Sequence, residues 1–543
     1  MLAEHAILGG FVPAAAAYYA SPFLVGPWEF MGSWDDSINF VENSMIQLPL
    51  TPASIYTMFT AIKINVYEPL AWLLKAVVFS ILGMDAYAVR LVTLGLHVCN
   101  CILLYFAAMR LLCLLRPSAS STSLGCLVGT VIYGVHPLHI EVIGWPSAQP
   151  YALALLCTLL CFHCHLRTIE STPSRGWATL SLACYVCSVW SKSVVIFTPV
   201  GILLIDVLHQ SPRILFEWRY YLARSGFAVA AFCLLATMVL ANTDGTHLDA
   251  DVLHLTWPER WLKAAVVWLW PLRMFLWPTQ LRFHYEMPTT LDPLEPLVFL
   301  SIVAGFGFTI CSVQRPATAA AWLFYSVMLV PVSGLVQHGL VFLAADRYAY
   351  IPTIVVVPLC GAAFGHLHSP RRVAALGCLW AAALTHVSVL QLHTWRDEET
   401  LFRHGLHVDP SDWRALDRLQ ELLVRSNRAT EAMPIIERAL VYTPTHGLKA
   451  QLQVAKCLML LQRTKEACAI YETLLADHPT NAHVNNNFGI CLWKQGRVSA
   501  ARLHFQVAVN GTGLTRGDTS AAVNIELVDA WDPRTPIHAR VMW

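Results

Sequence analysis

AILGGFVPAAAAYYASPFLVG, residues 6–26, is an apolar run long enough to read as a membrane span, and WDDSINF, residues 34–40, follows it closely. A helix needs about 20 apolar residues to cross a hydrocarbon layer about 30 Å thick. Adjacent carboxylates repel each other and are costly near hydrocarbon, so Asp35 and Asp36 mark the point where the chain emerges. Such a pair is either a solvated acidic loop or a pair of groups serving chemistry at the membrane surface.

Composition extends the membrane reading to most of the chain. Of 543 residues, 56% are hydrophobic and 13% charged, and the mean hydropathy is +0.52. That predicts an all-α, polytopic membrane bundle. A net charge of +1 offers no basic surface for nucleic acid, and no glycine-rich phosphate loop or nucleic-acid motif is present. The 16 cysteines lie mostly inside apolar runs, as Cys99, Cys101, Cys157, Cys161, Cys184 and Cys187 do, and read as small buried hydrophobes. Residues 1–30 lack a basic leader and a small-residue cleavage site, so the first span is expected to stay.

Eleven spans are predicted, near 6–28, 88–112, 121–136, 150–166, 177–191, 194–209, 222–241, 295–313, 317–334, 350–366 and 373–393. Arg110 and Arg116, Arg167 and Arg175, Arg213, Arg219 and Arg224, Arg315, and Arg371 and Arg372 then fall in alternate loops, which the positive-inside rule assigns to the cytosol. The opposite face holds Asp35, Asp36, HPLHIE (136–141), ADRYAY (345–350) and the polar tail from Trp395. The segment 258–278, with Arg260, Lys263 and Arg273 among its tryptophans and prolines, reads as an interfacial or re-entrant helix.

The tail repeats. Pro410, Pro444 and Pro479 are spaced by 34 and 35 residues, and Ala432, Ala467 and Ala501 by 35 and 34. Ile436, Tyr471 and Phe505 follow at a fixed offset, then Ala439, Leu474 and Ala508. This is the tetratricopeptide pattern, predicting about three helical hairpins over 411–515 that offer a groove for an extended peptide or act as a plain scaffold.

An ordered series of motifs now resembles the transmembrane-and-tetratricopeptide protein O-mannosyltransferases, a branch of the GT-C glycosyltransferases. The series is WDDSINFVEN (34–43), YEPL (67–70), HVCN (97–100), YGVHPLHIEVI (133–143), SKS (191–193), WPTQLRFHY (277–285), PVSGL (331–335), DRYAYIP (346–352) and WRDEETLF (395–402). The resemblance implies a GT-C-like domain over 1–394, a luminal tetratricopeptide domain over 395–515 and an extension over 516–543. It implies transfer of mannose, with inversion, from dolichyl phosphate mannose to Ser or Thr hydroxyls of proteins in the endoplasmic reticulum lumen, without a cofactor.

One carboxylate suffices for such a displacement, because a phosphate can leave without a general acid. Asp36 is the expected base, with Asp35 raising its basicity or orienting the acceptor. Arg347, Lys192, His136, His139, Glu141 and Tyr285 are the expected donor-binding residues. Arg347 also reads as an ion-pair partner of Asp346, and the two histidines with Glu141 also read as local structure or as divalent-metal ligands; no metal site is assigned. Three departures stand out: Glu68 where the family has arginine, Ser193 where Ser-Lys-Glu has its acid, and Gln149-Pro150 in place of a basic residue and an acid. The alternative is a non-catalytic scaffold that holds luminal proteins on its repeats.

Overall fold

The computed structural model describes residues 26–63, 66–115, 120–170, 175–243, 255–288, 291–335, 342–442, 448–511 and 520–530. Among them the regular structure is helical throughout, with two isolated β-bridges, Lys63 with Val66 and Tyr285 with Ala344. The chain divides into two compact units, Met1–Leu401 and Phe402–Trp543.

The first unit contains α1 (Pro52–Thr60), α2 (Pro69–Leu82), α3 (Ala86–Leu115), α4 (Ser120–Gly134), α5 (Gln149–Glu170), α6 (Arg175–Ser191), α7 (Thr198–Gln210), α8 (Trp218–Thr243), α9 (Trp257–Leu276), α10 (Pro296–Ser312), α11 (Pro316–Leu329), α12 (Val356–Phe364) and α13 (Pro370–Thr394). Proline opens α1, α2, α10, α11 and α13, at the one helical position where its missing N–H costs nothing. Small residues bring α4 and α12 together. A Cβ on Gly125 would lie 2.5 Å from the Cys360 carbonyl, and one on Gly361 would lie 2.4 Å from Cys126 Sγ.

Among the described residues six helices are long and apolar enough to cross a membrane: Ala86–Leu115, Pro146–Glu170, Ser193–Gln210, Trp218–Thr237, Asp346–Phe364 and Pro370–Thr394. Ser121–Gly134 and Pro137–Gly144, bent by 52°, make a seventh if counted as one span. Pro137 causes the bend, since it holds His136 in extended backbone at ψ 129°. The chain is thus a multi-pass helical bundle, and among the described residues the full-length spans are fewer than the ten predicted there. The first predicted span lies almost wholly outside the described residues. The other ten coincide with helices, but α6, α10 and α11 have only 17, 17 and 14 residues. At 1.5 Å per residue they fall short of about 30 Å. The apolar helix α2 is absent from the predicted spans, and α9 runs as one helix through Pro271 without joining the membrane-crossing set.

Arg90 locks one end of this bundle. It is fully buried on α3 and donates to the carbonyls of Gly144 at 2.7 Å, Ala86 at 3.0 Å, Glu29 at 2.8 Å and Trp395 at 3.0 Å. One guanidinium therefore ties four chain segments around the acidic loop.

The second unit pairs consecutive helices: α14 (Trp413–Arg425) with α15 (Ala429–Tyr442), α16 (Leu448–Leu460) with α17 (Thr464–Asp477), and α18 (Ala482–Lys494) with α19 (Val498–Val509), before α20 (Ser520–Asp529). Each pair turns at a residue with positive φ, Asn427, Gln462 or Gly496. The repeating Ala432, Ala467 and Ala501, with Ile436, Tyr471 and Phe505, are all completely buried, so the period in the sequence is a period in the packing. Pro444 and most of the predicted extension lie outside the described residues. Cys468 and Cys491 form a disulfide joining α17 to α18, which corrects the reading of the cysteines as hydrophobes for this pair.

Candidate active site

The acidic loop is an irregular helical stretch, Gly32–Val41, broken at Trp34 (φ −130°, ψ 60°) and Asp35 (φ 73°, ψ −20°). A non-glycine residue with positive φ is uncommon and costs about 1 kcal/mol or more. The break gives the two acids opposite surroundings: Asp35 is exposed, whereas Asp36 is completely buried. Asp36 Oδ2 accepts from the Met31 N–H at 2.8 Å, and Oδ1 accepts from the Ser147 N–H at 3.0 Å and from the Ser147 hydroxyl. Burial nevertheless pushes the Asp36 carboxyl up from 3.8 to about 6, against these hydrogen bonds and the charge of Arg90. Asp36 thus holds the loop against the short turn that precedes α5.

From this anchor a row of charged groups crosses the unit. Asn39 donates to Ser147 Oγ at 3.0 Å and accepts from Lys75 Nζ at 3.2 Å. Lys75, buried on α2 and 4.2 Å over the Trp72 ring, lies within electrostatic reach of Asp36, Glu68 and Lys192. Glu68 Oε1 accepts from Lys192 Nζ at 2.5 Å, and Lys192 lies 5.4 Å over the Tyr151 ring and within reach of Arg347. Glu141 takes Arg347 with both oxygens, Oε2 from the main-chain N–H at 2.7 Å and Oε1 from the guanidinium. Trp145 and Tyr348 flank that guanidinium at 5.1 Å and 5.0 Å. The partner of Arg347 is therefore Glu141; Asp346 accepts instead from the Tyr285 hydroxyl at 2.7 Å.

Two cavities draw lining residues from shared elements. A small cavity is lined by Tyr151, Met328, Arg347, Tyr348, Ile351 and Pro352 among others. A larger cavity is walled almost entirely by apolar groups, including Leu104, Leu159, Phe324, Ile354 and Leu359. Phe324 and Met328 are one turn apart on α11, Ile351 and Ile354 lie on one short helical stretch, and Tyr151 and Leu159 lie two turns apart on α5. A greasy compartment and a cation-bearing one thus share three elements.

His136 and His139 sit elsewhere in the network. Both are completely buried. His136 Nε2 donates to the Phe275 carbonyl at 2.9 Å while Nδ1 accepts from the Leu138 N–H at 3.2 Å. His139 Nδ1 donates to the Tyr133 carbonyl at 2.8 Å, and Nε2 lies 3.1 Å from Thr353 Oγ1. Both rings serve the bend at Pro137 and line neither cavity. Among the described residues no group of three His, Cys, Asp or Glu is placed to hold a metal ion. Sequence reading misses Arg90, Lys75 and Ser147; a lone cation inside an apolar run was the available signal for the first two, and Ser147 has none.

No family model matches the chain. Among curated proteins it is similar to Protein O-mannosyl-transferase Tmtc1 of Drosophila melanogaster, 22% identical over 456 residues, covering 65% of this chain and 52% of that protein. It is also similar to Protein O-mannosyl-transferase Tmtc2 of the same organism, 28% identical over 126 residues, 22% of this chain and 13% of that protein. The chain spans about half the length of the first relative and less of the second. These relatives bear out the resemblance carried by the motifs. The crystal structure of apo ArnT from Cupriavidus metallidurans matches over 87% of this chain and 80% of its own at 10% identity, with a TM-score of 0.38, and adds nothing to the fold read from the helices themselves.

Proposed function

We propose that the chain is a membrane glycosyltransferase that moves mannose from dolichyl phosphate mannose to a Ser or Thr hydroxyl of a protein; its Tmtc relatives are named as protein O-mannosyl-transferases. One observation carries the reading: an apolar cavity and a small cavity lined by Arg347 and Tyr151 draw their walls from the same three elements, an arrangement suited to a ligand with a polyisoprenoid tail and a phosphate head.

In this reading Asp35, rather than Asp36, is the base. Asp36 is completely buried and hydrogen-bonded inside the protein, so it is the positioning residue; Asp35, whose side chain is exposed, is the group an acceptor hydroxyl approaches from solvent. Asp35 takes the proton of the acceptor hydroxyl as its oxygen bonds to the anomeric carbon. The carbon–oxygen bond to phosphate breaks, its electron pair leaves with dolichyl phosphate, and configuration inverts. Arg347 and Lys192 offset the charge gathering on the phosphate, with Tyr151 and Tyr348 packed beside them. Tyr285 and Glu141 act through the Asp346–Arg347 segment they hold.

The helix pairs of the second unit read as tetratricopeptide repeats that hold acceptor proteins. The Cys468–Cys491 disulfide fits an oxidising compartment and supports an endoplasmic reticulum membrane location with this unit in the lumen. The scaffold alternative draws on one observation: Lys192 and Arg347 each already have a carboxylate partner. The test is transfer of radiolabelled mannose from dolichyl phosphate mannose to acceptor protein by the purified chain, with Asp35→Asn alongside. Label transferred by the parent and lost in the variant supports the enzyme; no transfer by either leaves the scaffold.

A further inference from the structure

Glu68 stands immediately before Pro69 at the start of α2, with its side chain 4% exposed and Oε1 2.5 Å from Lys192 Nζ. A lone carboxylate buried to that degree would be unstable, and two cations offset it: Lys192 by direct contact and Lys75 through space. Lys192 is 20% exposed, lies over Tyr151 and senses Arg347, the residues that line the small cavity. The lysine is therefore at the edge of the proposed phosphate site while its charge is cancelled from the α2 side.

The two ion pairs at this site differ in kind. Glu141 binds both the main-chain N–H and the guanidinium of Arg347, so it belongs to the framework of that segment. Glu68 accepts one side-chain hydrogen bond from Lys192, and Lys75, bonded to Asn39, stays within electrostatic reach of it if that bond breaks. The Glu68–Lys192 pair can therefore open with Lys75 still offsetting the carboxylate in part, through space.

We infer that Glu68 is an internal counter-ion that competes with the donor phosphate for Lys192, so that a polyprenyl monophosphate binds by displacing it. This rests on the glycosyltransferase reading and deepens it: residue 68 sets the affinity for the donor. On displacement Lys192 Nζ turns to the phosphate, and Glu68 is left to Lys75.

The test is titration of the purified protein in nanodiscs with farnesyl monophosphate, farnesol or inorganic phosphate, for the parent, Glu68→Gln, Glu68→Asp, Lys192→Met and the Glu68→Gln/Lys192→Met pair. Glu68→Gln should bind farnesyl monophosphate roughly tenfold more tightly than the parent, the size expected for freeing one charge-assisted hydrogen bond. Glu68→Asp, which draws the carboxylate back from Nζ and keeps its charge for the fold, should shift the same way by less. The double variant should show no gain over Lys192→Met, and farnesol should be indifferent to residue 68. Equal affinity of the parent and both Glu68 variants, or a gain that farnesol shares, overturns the counter-ion and leaves the glycosyltransferase reading standing. Absence of farnesyl monophosphate binding in every variant overturns both. Equal gains with inorganic phosphate alone would show a free-anion site and overturn the lipid donor.

Discussion

Replacing Asp36 by asparagine separates anchor from base. The rise of the Asp36 carboxyl from 3.8 to about 6 means that the folded protein holds its proton more tightly than the unfolded chain does. Ionisation of this group therefore costs stability: the contribution of the protonated carboxyl is fully present below 3.8 and is lost as pH rises through about 6. The full loss is about 3 kcal/mol. Asparagine removes the ionisation but sets its NH2 against one of the donors that Asp36 accepts, Met31 N–H or the Ser147 pair, which costs about 1 to 3 kcal/mol. At pH 7.5 the two effects nearly cancel; at pH 4 only the second remains. The stability difference between Asp36→Asn and the parent should thus move in the variant's favour by about 2.4 kcal/mol from pH 4 to pH 7.5. Thermal unfolding followed by tryptophan fluorescence measures it, with Trp34 beside the loop as a reporter. A difference that stays flat across that range would refute the burial of an ionisable Asp36.

Other substitutions test other joints. Asp35→Asn should abolish mannosyl transfer while leaving stability within about 0.5 kcal/mol, because asparagine tolerates positive φ and the side chain is exposed. Arg90→Met should cost about 3 kcal/mol or more, read as a lower melting temperature, since four carbonyls lose their shared donor. Leu159→Trp, filling the apolar cavity, should weaken a long polyprenyl phosphate more than farnesyl monophosphate in competition binding. Cys468→Ser should make the second unit less stable by about 2 to 4 kcal/mol, visible as faster limited proteolysis.

Much of the architecture is legible before any coordinates. Apolar runs locate ten helices because burial in hydrocarbon leaves no other use for them, and the 34- and 35-residue period marks the helix pairs because each unit buries the same small residues. The motif positions also gather: Lys192, Glu141, Arg347 and Tyr285, far apart in sequence, are joined directly or through Asp346 and Tyr151. What sequence hides is geometry set by single residues. The left-handed backbone at Asp35, which decides which acid meets solvent, has no glycine to announce it. Ser147 gains its role only when the turn before α5 folds beside the loop. The meaning of Glu68, in sequence a missing cation, changes once its carboxylate is found on Lys192.

The most direct test of the account is a structure of the protein in nanodiscs with dolichyl phosphate bound. The account predicts the phosphate within hydrogen-bonding distance of Arg347 and Lys192, and the tail running past Met328 and Phe324 into the apolar cavity. A phosphate bound elsewhere, with Glu68 still on Lys192 and the apolar cavity closed to the tail, would contradict it.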